Sequence, residues 1–319
     1  MKAVFLDFAT LGSDGLDVSP LQNIVPDLTL FEDTPADKVL QRIADTEVVF
    51  ANKVRLTREI IESSPKIRFV GLTATGIDNV DIDAAVENGI AVCNIRGYCT
   101  QSIVEHVFAV LLNLSHNIGR YNRSVQDGDW QQAANFCMLN YPIRELSAMT
   151  IGIVGHGTLG SAVADMARHF NMNVLIARRQ GQDPEPGDGR LDKREILQQC
   201  DVLSLHCPLT DDNQGFIGAA EFELMKPNAI LINTARGGLV DSAALVDALT
   251  SGRIAAAAID VLSNEPPVDG DPLLDYAGEN LIMTPHIAWG TEQARQNAIN
   301  ELAENLIAFS EGKHRNRIV

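Results

Sequence analysis

Three side chains of different chemical type follow three predicted strands in the second half of the chain: Arg236, Glu265 and His286. A guanidinium can hold a carboxylate through two charge-assisted hydrogen bonds. An imidazole can deliver a proton near neutral pH, and a carboxylate bonded to its other nitrogen fixes its tautomer. The set suits a reaction in which a carbonyl beside a carboxylate gains a proton. Taken singly, each residue has an ordinary alternative: a loop salt bridge, a solvated glutamate or a satisfied turn histidine.

A glycine-rich segment, Gly155-His-Gly-Thr-Leu-Gly160, lies between a predicted strand and a predicted helix. The apolar run before it is typical of a buried parallel strand, and the apolar spacing after it is helical. In this context the glycines allow a tight turn, close approach of a pyrophosphate and close helix packing. The alternative is an ordinary glycine-rich turn. The predicted dinucleotide-binding residues are Gly155, His156, Gly157, Thr158, Leu159 and Gly160.

The next predicted strand, residues 173–177, ends at Arg178 and Arg179. NAD-binding versions of this motif carry Asp or Glu at that point, where it binds the ribose 2′-OH. A carboxylate repels a 2′-phosphate, whereas a guanidinium attracts it. The arginine pair therefore favours NADP, with NAD as the second candidate and a solvated surface pair as the alternative.

Length and composition exclude several classes of protein. A chain of 319 residues allows two domains, and its net charge of −17 argues against non-specific nucleic-acid binding. No run of 18 apolar residues is present, and the apolar start of the chain is too short for a signal peptide. The five cysteines are scattered without metal-type spacing. We therefore expect a cytoplasmic protein with reduced thiols, no bound metal and no membrane contact.

Strand-like and helix-like segments alternate along the chain, which indicates α/β layers with parallel sheets. The first hundred residues contain predicted strands at 3–7, 28–31, 48–51, 69–72 and 91–94. A second set follows at 151–154, 173–177, 202–205, 229–233, 255–259 and 281–284. Because the carboxyl ends of parallel strands share one edge, Arg236, Glu265 and His286 are expected at the edge that carries the glycine turn.

Two long helical patterns frame the second set of strands. The first, residues 100–125, carries a broad apolar stripe that predicts a contact with another subunit and hence a homodimer. Ser102 and Glu105 fit a capping box near its start. The second pattern begins near Thr291 and stops at Gly312.

The ordered motifs resemble the D-isomer-specific 2-hydroxyacid dehydrogenase family, in its glycerate dehydrogenase and hydroxypyruvate (glyoxylate) reductase branch. The resemblance covers essentially the whole chain. It implies two Rossmann-like or flavodoxin-like parallel-sheet domains with a cleft between them. Residues 1–99 and 290–319 would form the substrate-binding domain, and residues 100–289 the dinucleotide-binding domain. The matching segments are residues 73–81, 104–106, 155–160, 206–210, 233–237, 260, 264–266 and 285–288.

The resemblance also implies residue roles. Arg236, Glu265 and His286 match the catalytic residues of the family, and the backbone N–H groups of Ala74, Thr75 and Gly76 match the loop that holds the substrate carboxylate. Asp260 matches a residue at the nicotinamide amide. Arg178 stands where the family usually has Asp, which puts NAD in doubt and not the reaction type. The remaining implied cofactor contacts are His206, Cys207, Pro208, Thr234, Ala235 and Gly290.

Three further residues are candidates to contact the part of the substrate that lies beyond its C1 carboxylate and C2 keto group. Lys53 or Asn52 is positioned to bind a C3 hydroxyl, with a surface lysine as the alternative for Lys53. Trp289 is a candidate wall of the substrate pocket, with a place in the core as its alternative.

The sequence therefore predicts an NADPH-dependent reductase of a small 2-keto acid, with hydroxypyruvate first and glyoxylate second. By the resemblance, the product is the D-2-hydroxy acid, D-glycerate or glycolate. The alternative is a dinucleotide-sensing, corepressor-like binding protein on the same fold, whose relatives can keep similar catalytic residues. A chain without disordered tails or a basic segment argues against that alternative.

Overall fold

The computed structural model describes residues 1–12, 14–183 and 187–319. It separates into two compact units. The first unit comprises Met1–Cys99 and Trp289–Val319, and the second comprises Thr100–Ala288. Each unit is built on a parallel sheet with helices, so the predicted fold class is confirmed. Within the described residues, no helix combines the length and the apolar composition needed to cross a membrane.

The first unit contains a five-stranded parallel sheet. Its strands are β1 (Lys2–Phe5), β2 (Asp27–Leu30), β3 (Val48–Ala51), β4 (Phe69–Leu72) and β5 (Ala91–Cys93). Their order in the sheet is β2-β1-β3-β4-β5. Its helices are α1 (Ser19–Gln22), α2 (Val39–Ile43), α3 (Arg58–Glu62), α4 (Ile82–Glu87) and the C-terminal α11 (Glu292–Ser310).

Apolar side chains cover both faces of this sheet, as expected of parallel strands. Phe5, Phe50 and Phe69 share one buried cluster with Leu302 and Leu306 of α11. The start of α11 agrees with the prediction, because the Thr291 hydroxyl accepts a hydrogen bond from the N–H of Ala294. The C-terminal helix thus completes the core of the first unit.

The second unit contains a six-stranded parallel sheet. Its strands are β6 (Thr150–Val154), β7 (Asn173–Ile176), β8 (Val202–Leu205), β9 (Ile230–Asn233), β10 (Ala256–Ile259) and β11 (Leu281–Met283). Its helices are α5 (Thr100–His116), α6 (Ile118–Gln126), α7 (Thr158–His169), α8 (Lys193–Gln199), α9 (Ala219–Phe222) and α10 (Ser242–Thr250). The strand order is β11-β10-β9-β8-β6-β7. The chain adds β7 on one side of β6 and then crosses to the other side to form β8, so the strand order reverses between β6 and β8. Open α/β sheets bind ligands outside the strand ends at such a switch point.

The single helix predicted over residues 100–125 is wrong, because α5 and α6 are separated at Asn117. This residue has a φ of 53°, a left-handed conformation that asparagine adopts more readily than most residues and that interrupts the helical hydrogen bonds. The predicted capping box at Ser102 and Glu105 is also wrong. The helix begins before Ser102, whose buried hydroxyl donates instead to the carbonyl of Ala288 at 2.7 Å.

The apolar stripe of α5 is buried within the second unit. Val107 and Leu111 are fully buried, and the ring of Phe108 stacks on Phe170 with 5.1 Å between centroids. The stripe that suggested a partner subunit is therefore covered by the chain itself. Exposed apolar side chains follow α6 in a segment, residues 129–143, that we call the arm. They are Trp130, Phe136, Leu139 and Ile143, exposed by 52%, 90%, 75% and 49%.

Candidate active site

The turn between β6 and α7 requires glycine at two positions. Gly155 has a φ of 90°, and a Cβ there would lie 2.6 Å from the backbone nitrogen of Cys207. A Cβ on Gly160 would lie 1.9 Å from the carbonyl oxygen of Gly155. At Gly157, by contrast, a Cβ would meet nothing within 4 Å, and this residue is the N-cap of α7 and provides no side-chain cap. The open space and the uncapped helix end fit a phosphate group.

Half-buried residues with polar groups follow the neighbouring strands β8 and β9. The hydroxyl oxygen of Thr234 is buried and has no hydrogen-bond partner among the described residues. A bound cofactor or substrate can supply the hydrogen-bond partner that this hydroxyl lacks. Nε2 of His206 lies 2.8 Å from the hydroxyl of Ser204, and burial lowers the pKa of His206 to about 4. Burial also raises the pKa of the Cys207 thiol, so this part of the groove carries no charge at neutral pH.

The two arginines after β7 differ in their surroundings. Nη2 of Arg178 donates to the carbonyl of Arg190 at 2.7 Å and lies 3.5 Å from a carboxylate oxygen of Asp188. The Arg178 side chain is only 14% exposed, whereas Arg179 is exposed. The charge of Arg178 is therefore partly offset within the protein, and that of Arg179 faces solvent.

His286 and Glu265 form the contact that the sequence predicts. Nδ1 of His286 lies 2.6 Å from Oε2 of Glu265, and both side chains are about one-third exposed. The second carboxylate oxygen accepts the N–H of Leu262 at 2.8 Å. Across the part of the chain that the structure describes, Nε2 of His286 makes no hydrogen bond. A proton on that nitrogen can be passed to a ligand.

Asp260 holds the segment that carries His286. Its carboxylate accepts the N–H groups of Ile287 and Ala288, each at 2.9 Å, and the hydroxyl of Thr284. Its carbonyl accepts the N–H of His286 at 2.8 Å. These bonds support a left-handed φ of 57° at His286, which is uncommon outside glycine. The cofactor contact assigned to Asp260 stays a prediction, and both its carboxylate oxygens already accept hydrogen bonds from the protein.

Arg236 follows β9 and is exposed, with Nη1 donating to the carbonyl of Ala235 at 2.8 Å. The buried Asn233 side chain ties the loop by donating to the carbonyl of Arg236 at 2.9 Å. A Cβ on Gly237 would lie 2.0 Å from the carbonyl carbon of Leu262, so this loop touches the loop of Glu265. Among the described residues Arg236 makes no hydrogen bond or ion pair to Glu265 or His286.

The other residues predicted to bind substrate lie in the first unit. Residues 74–76 follow β4, and their loop is tied to Asn94, whose side-chain nitrogen donates to the carbonyl of Thr75 at 2.7 Å. Lys53 follows β3 and is exposed, with its N–H held by the carboxylate of Asp7 at 2.6 Å. Asn52 is buried and donates to the hydroxyl of Thr10, which leaves Lys53 as the exposed candidate of the two.

Trp289 and Gly290 also belong to the first unit. The indole packs against the core cluster of that unit, with its ring 6.4 Å from the ring of Tyr98. This contact accounts for Trp289 as a packing residue and leaves its role as a pocket wall a prediction.

Sequence reasoning missed the polar side chains that hold the site loops: Asp7, Asn94, His106 and Thr284. Nε2 of His106, on α5, lies 3.3 Å from the Thr284 hydroxyl and 4.0 Å from the Asp260 carboxylate. His106 and Thr284 stood in segments noted from the sequence, where neither was given a role. The others owe their positions to tertiary burial, which composition and spacing do not show.

Comparisons with known proteins agree with one another. Residues 108–288 match the family profile described as D-isomer specific 2-hydroxyacid dehydrogenase, NAD binding domain. The chain is 40% identical over 317 residues to glycerate dehydrogenase of Methylorubrum extorquens, covering 99% of this chain and 98% of the relative. It is 37% identical to hydroxypyruvate reductase of Blautia hydrogenotrophica, covering 98% of each chain. A solved acyclic imino acid reductase in complex with NADPH and D-Arg superposes with a TM-score of 0.84 at 28% identity, covering 100% of both chains.

Proposed function

Because the chain belongs to the D-isomer specific 2-hydroxyacid dehydrogenase family, we propose that it reduces hydroxypyruvate first, and glyoxylate second, to the D-2-hydroxy acid. The coarser activity, NAD(P)-dependent reduction of a 2-keto acid, is that of its relatives. The observation that supports the proposal most is the His286–Glu265 pair, whose outer nitrogen is unbonded within the described residues. The pair follows strands of the same sheet as the glycine turn.

Each part of the site has a defined task in this proposal. When bound, a nicotinamide dinucleotide supplies the hydride, and the turn at 155–160 holds its pyrophosphate against α7. Nε2 of His286 gives its proton to the carbonyl oxygen of the substrate, while Glu265 keeps the proton on Nδ1 and stabilises the imidazolium. Arg236 and the backbone N–H groups of residues 74–76 bind the substrate carboxylate.

The proposed activity is tested by steady-state reduction of hydroxypyruvate, glyoxylate and pyruvate with NADPH and with NADH, and by chiral analysis of the product. We expect hydroxypyruvate to exceed pyruvate clearly in kcat/KM, because a polar site discriminates against a substrate that lacks its partner group. A D-product is expected. Tight dinucleotide binding without turnover of any of the three acids would favour the sensor alternative.

We propose that the enzyme prefers NADPH and that the two arginines after β7 supply the preference, Arg179 through its exposed charge. Replacing Arg178 and Arg179 by Ala should weaken NADPH binding by about 1.5–3 kcal/mol for each charge-assisted hydrogen bond to the 2′-phosphate that is removed, and NADH binding much less. Arg168→Ala is a matched control, since Arg168 is exposed on α7 and paired with Asp165. Equal weakening of the two cofactors would contradict the proposal.

We propose a homodimer in which the arm, rather than the stripe of α5, meets the partner. Residues 129 and 132–140 of the arm line an open depression of about 670 Å³, and Phe136 and Leu139 are almost unburied. Light scattering at micromolar concentration should give twice the monomer mass. Changing both side chains to Ser should weaken the dimer by roughly 2 kcal/mol per side chain. Val268→Ser is the control, because Val268 is 83% exposed in another loop. Monomeric wild-type protein would refute the dimer.

A further inference from the structure

Three neighbouring strands of the first unit lead into residues that can each contact an anionic group. Strands β3, β4 and β5 pair in parallel, and the chain continues from them into Lys53, residues 74–76 and Arg96 respectively. The carboxyl ends of adjacent parallel strands lie side by side. Two cations therefore flank the loop proposed to hold the substrate carboxylate. Neither the sequence motifs nor the comparisons assign a role to Arg96.

Arg96 is tied to that loop through one buried amide. Its Nε donates to Oδ1 of Asn94 at 3.2 Å, and Nδ2 of Asn94 donates to the carbonyl of Thr75 at 2.7 Å. Asn94 is only 4% exposed. Its own carbonyl accepts a hydrogen bond from Asn305 of α11 at 2.8 Å. Arg96 thus lies two hydrogen bonds from Thr75, on a support fixed by the C-terminal helix.

The charges of both cations are available. The side chains of Arg96 and Lys53 are exposed. In residues 1–12, 14–183 and 187–319, no carboxylate lies within 4.0 Å of either charged group. Elsewhere in the same unit, Arg58 pairs with Glu87 and Arg315 pairs with Glu301. In a chain with a net charge of −17, two uncompensated cations at one sheet edge make a local site for anions.

We propose that Arg96 is a specificity-determining residue which, with Lys53, binds a second anionic group of the substrate. The site then takes 2-keto acids that carry a carboxylate or phosphate beyond the C1 carboxylate. The planar guanidinium can hold either group through two parallel hydrogen bonds, and the ammonium adds a point charge. This inference rests on the proposed function, because that function places the C1 carboxylate at residues 74–76.

The test compares kcat/KM for two monoanionic acids, glyoxylate and hydroxypyruvate, with that for two acids bearing a second anion, oxaloacetate and 3-phosphohydroxypyruvate. We expect the wild type to use at least one of the latter pair more efficiently than pyruvate. Arg96→Gln should lower kcat/KM for that acid by about 10- to 100-fold, mainly through KM, because the variant cannot form a charge-assisted hydrogen bond to the second anion. Glyoxylate has no distal group, so its kcat/KM should change by less than about twofold. The acid with the larger Arg96-dependent decrease identifies the anion as carboxylate or phosphate.

Arg68→Gln is the matched control. Arg68 is exposed but precedes β4, so it lies at the opposite edge of the same sheet, and its replacement should leave all four substrates unchanged. Lys53→Gln should lower kcat/KM for the same acid as Arg96→Gln, by a smaller factor. An equal decrease for glyoxylate in Arg96→Gln, or no decrease for any substrate, would overturn the inference. Absence of turnover of every 2-keto acid by the wild type would instead reject the proposed function.

Discussion

We expect His286→Asn to lower kcat/KM for hydroxypyruvate by about 10²- to 10⁴-fold, the usual contribution of a positioned proton donor. The cofactor dissociation constant should change little, because His286 contacts Glu265 and the Asp260 segment and not the glycine turn. Stopped-flow reduction and fluorescence titration with NADPH measure the two quantities separately.

A second variant provides the control for this prediction. Glu265→Gln keeps a hydrogen-bonding group near Nδ1 but removes the charge, so its activity should lie between those of wild type and His286→Asn. An Asn variant with the wild-type kcat/KM for hydroxypyruvate would remove His286 from the proton transfer.

Arg236→Gln should have an effect of similar size for a different reason. Two charge-assisted hydrogen bonds to a carboxylate, at about 1.5–3 kcal/mol each, correspond to a decrease of about 10²- to 10⁴-fold in kcat/KM when they are removed. Arg236→Lys is the matched variant: it keeps the charge without the planar fork and should recover only part of the activity. Impaired cofactor binding with normal substrate kinetics would contradict the assignment.

Much of the fold could be predicted from local patterns. Apolar runs buried on both faces of a parallel sheet are easy to recognise, and the strand at Val48–Ala51 has the predicted bounds. The break at Asn117 could not be predicted in this way, because asparagine is tolerated within helices and its left-handed φ depends on the surrounding contacts. The burial of the apolar stripe of α5 could not be predicted either, because it depends on the tertiary packing of α7 and Phe170 against α5.

Contacts in the candidate site were predictable where two residues follow the ends of adjacent strands, because strand order then decides which side chains meet. Glu265 and His286 follow the adjacent strands β10 and β11, so their contact follows from topology and residue type. The partners of Arg178 were not predictable, since its contacts with Asp188 and Arg190 are tertiary and follow from no local pattern. The same holds for Asn94, whose bridge between Arg96 and Thr75 requires its burial beneath α11.

The backbone contact at Gly237 has a consequence for substitutions in the two loops that it joins. The loops of Arg236 and Glu265 touch so closely that a single added methyl at Gly237 would displace one of them. Changes in either loop are therefore felt by the other, and their effects should combine non-additively. Lys53 and Arg96 follow strands of the other sheet, in the first unit. Under the proposed roles, the residues that distinguish acids and the residues that react with them are therefore carried by separate sheets, each with its own core.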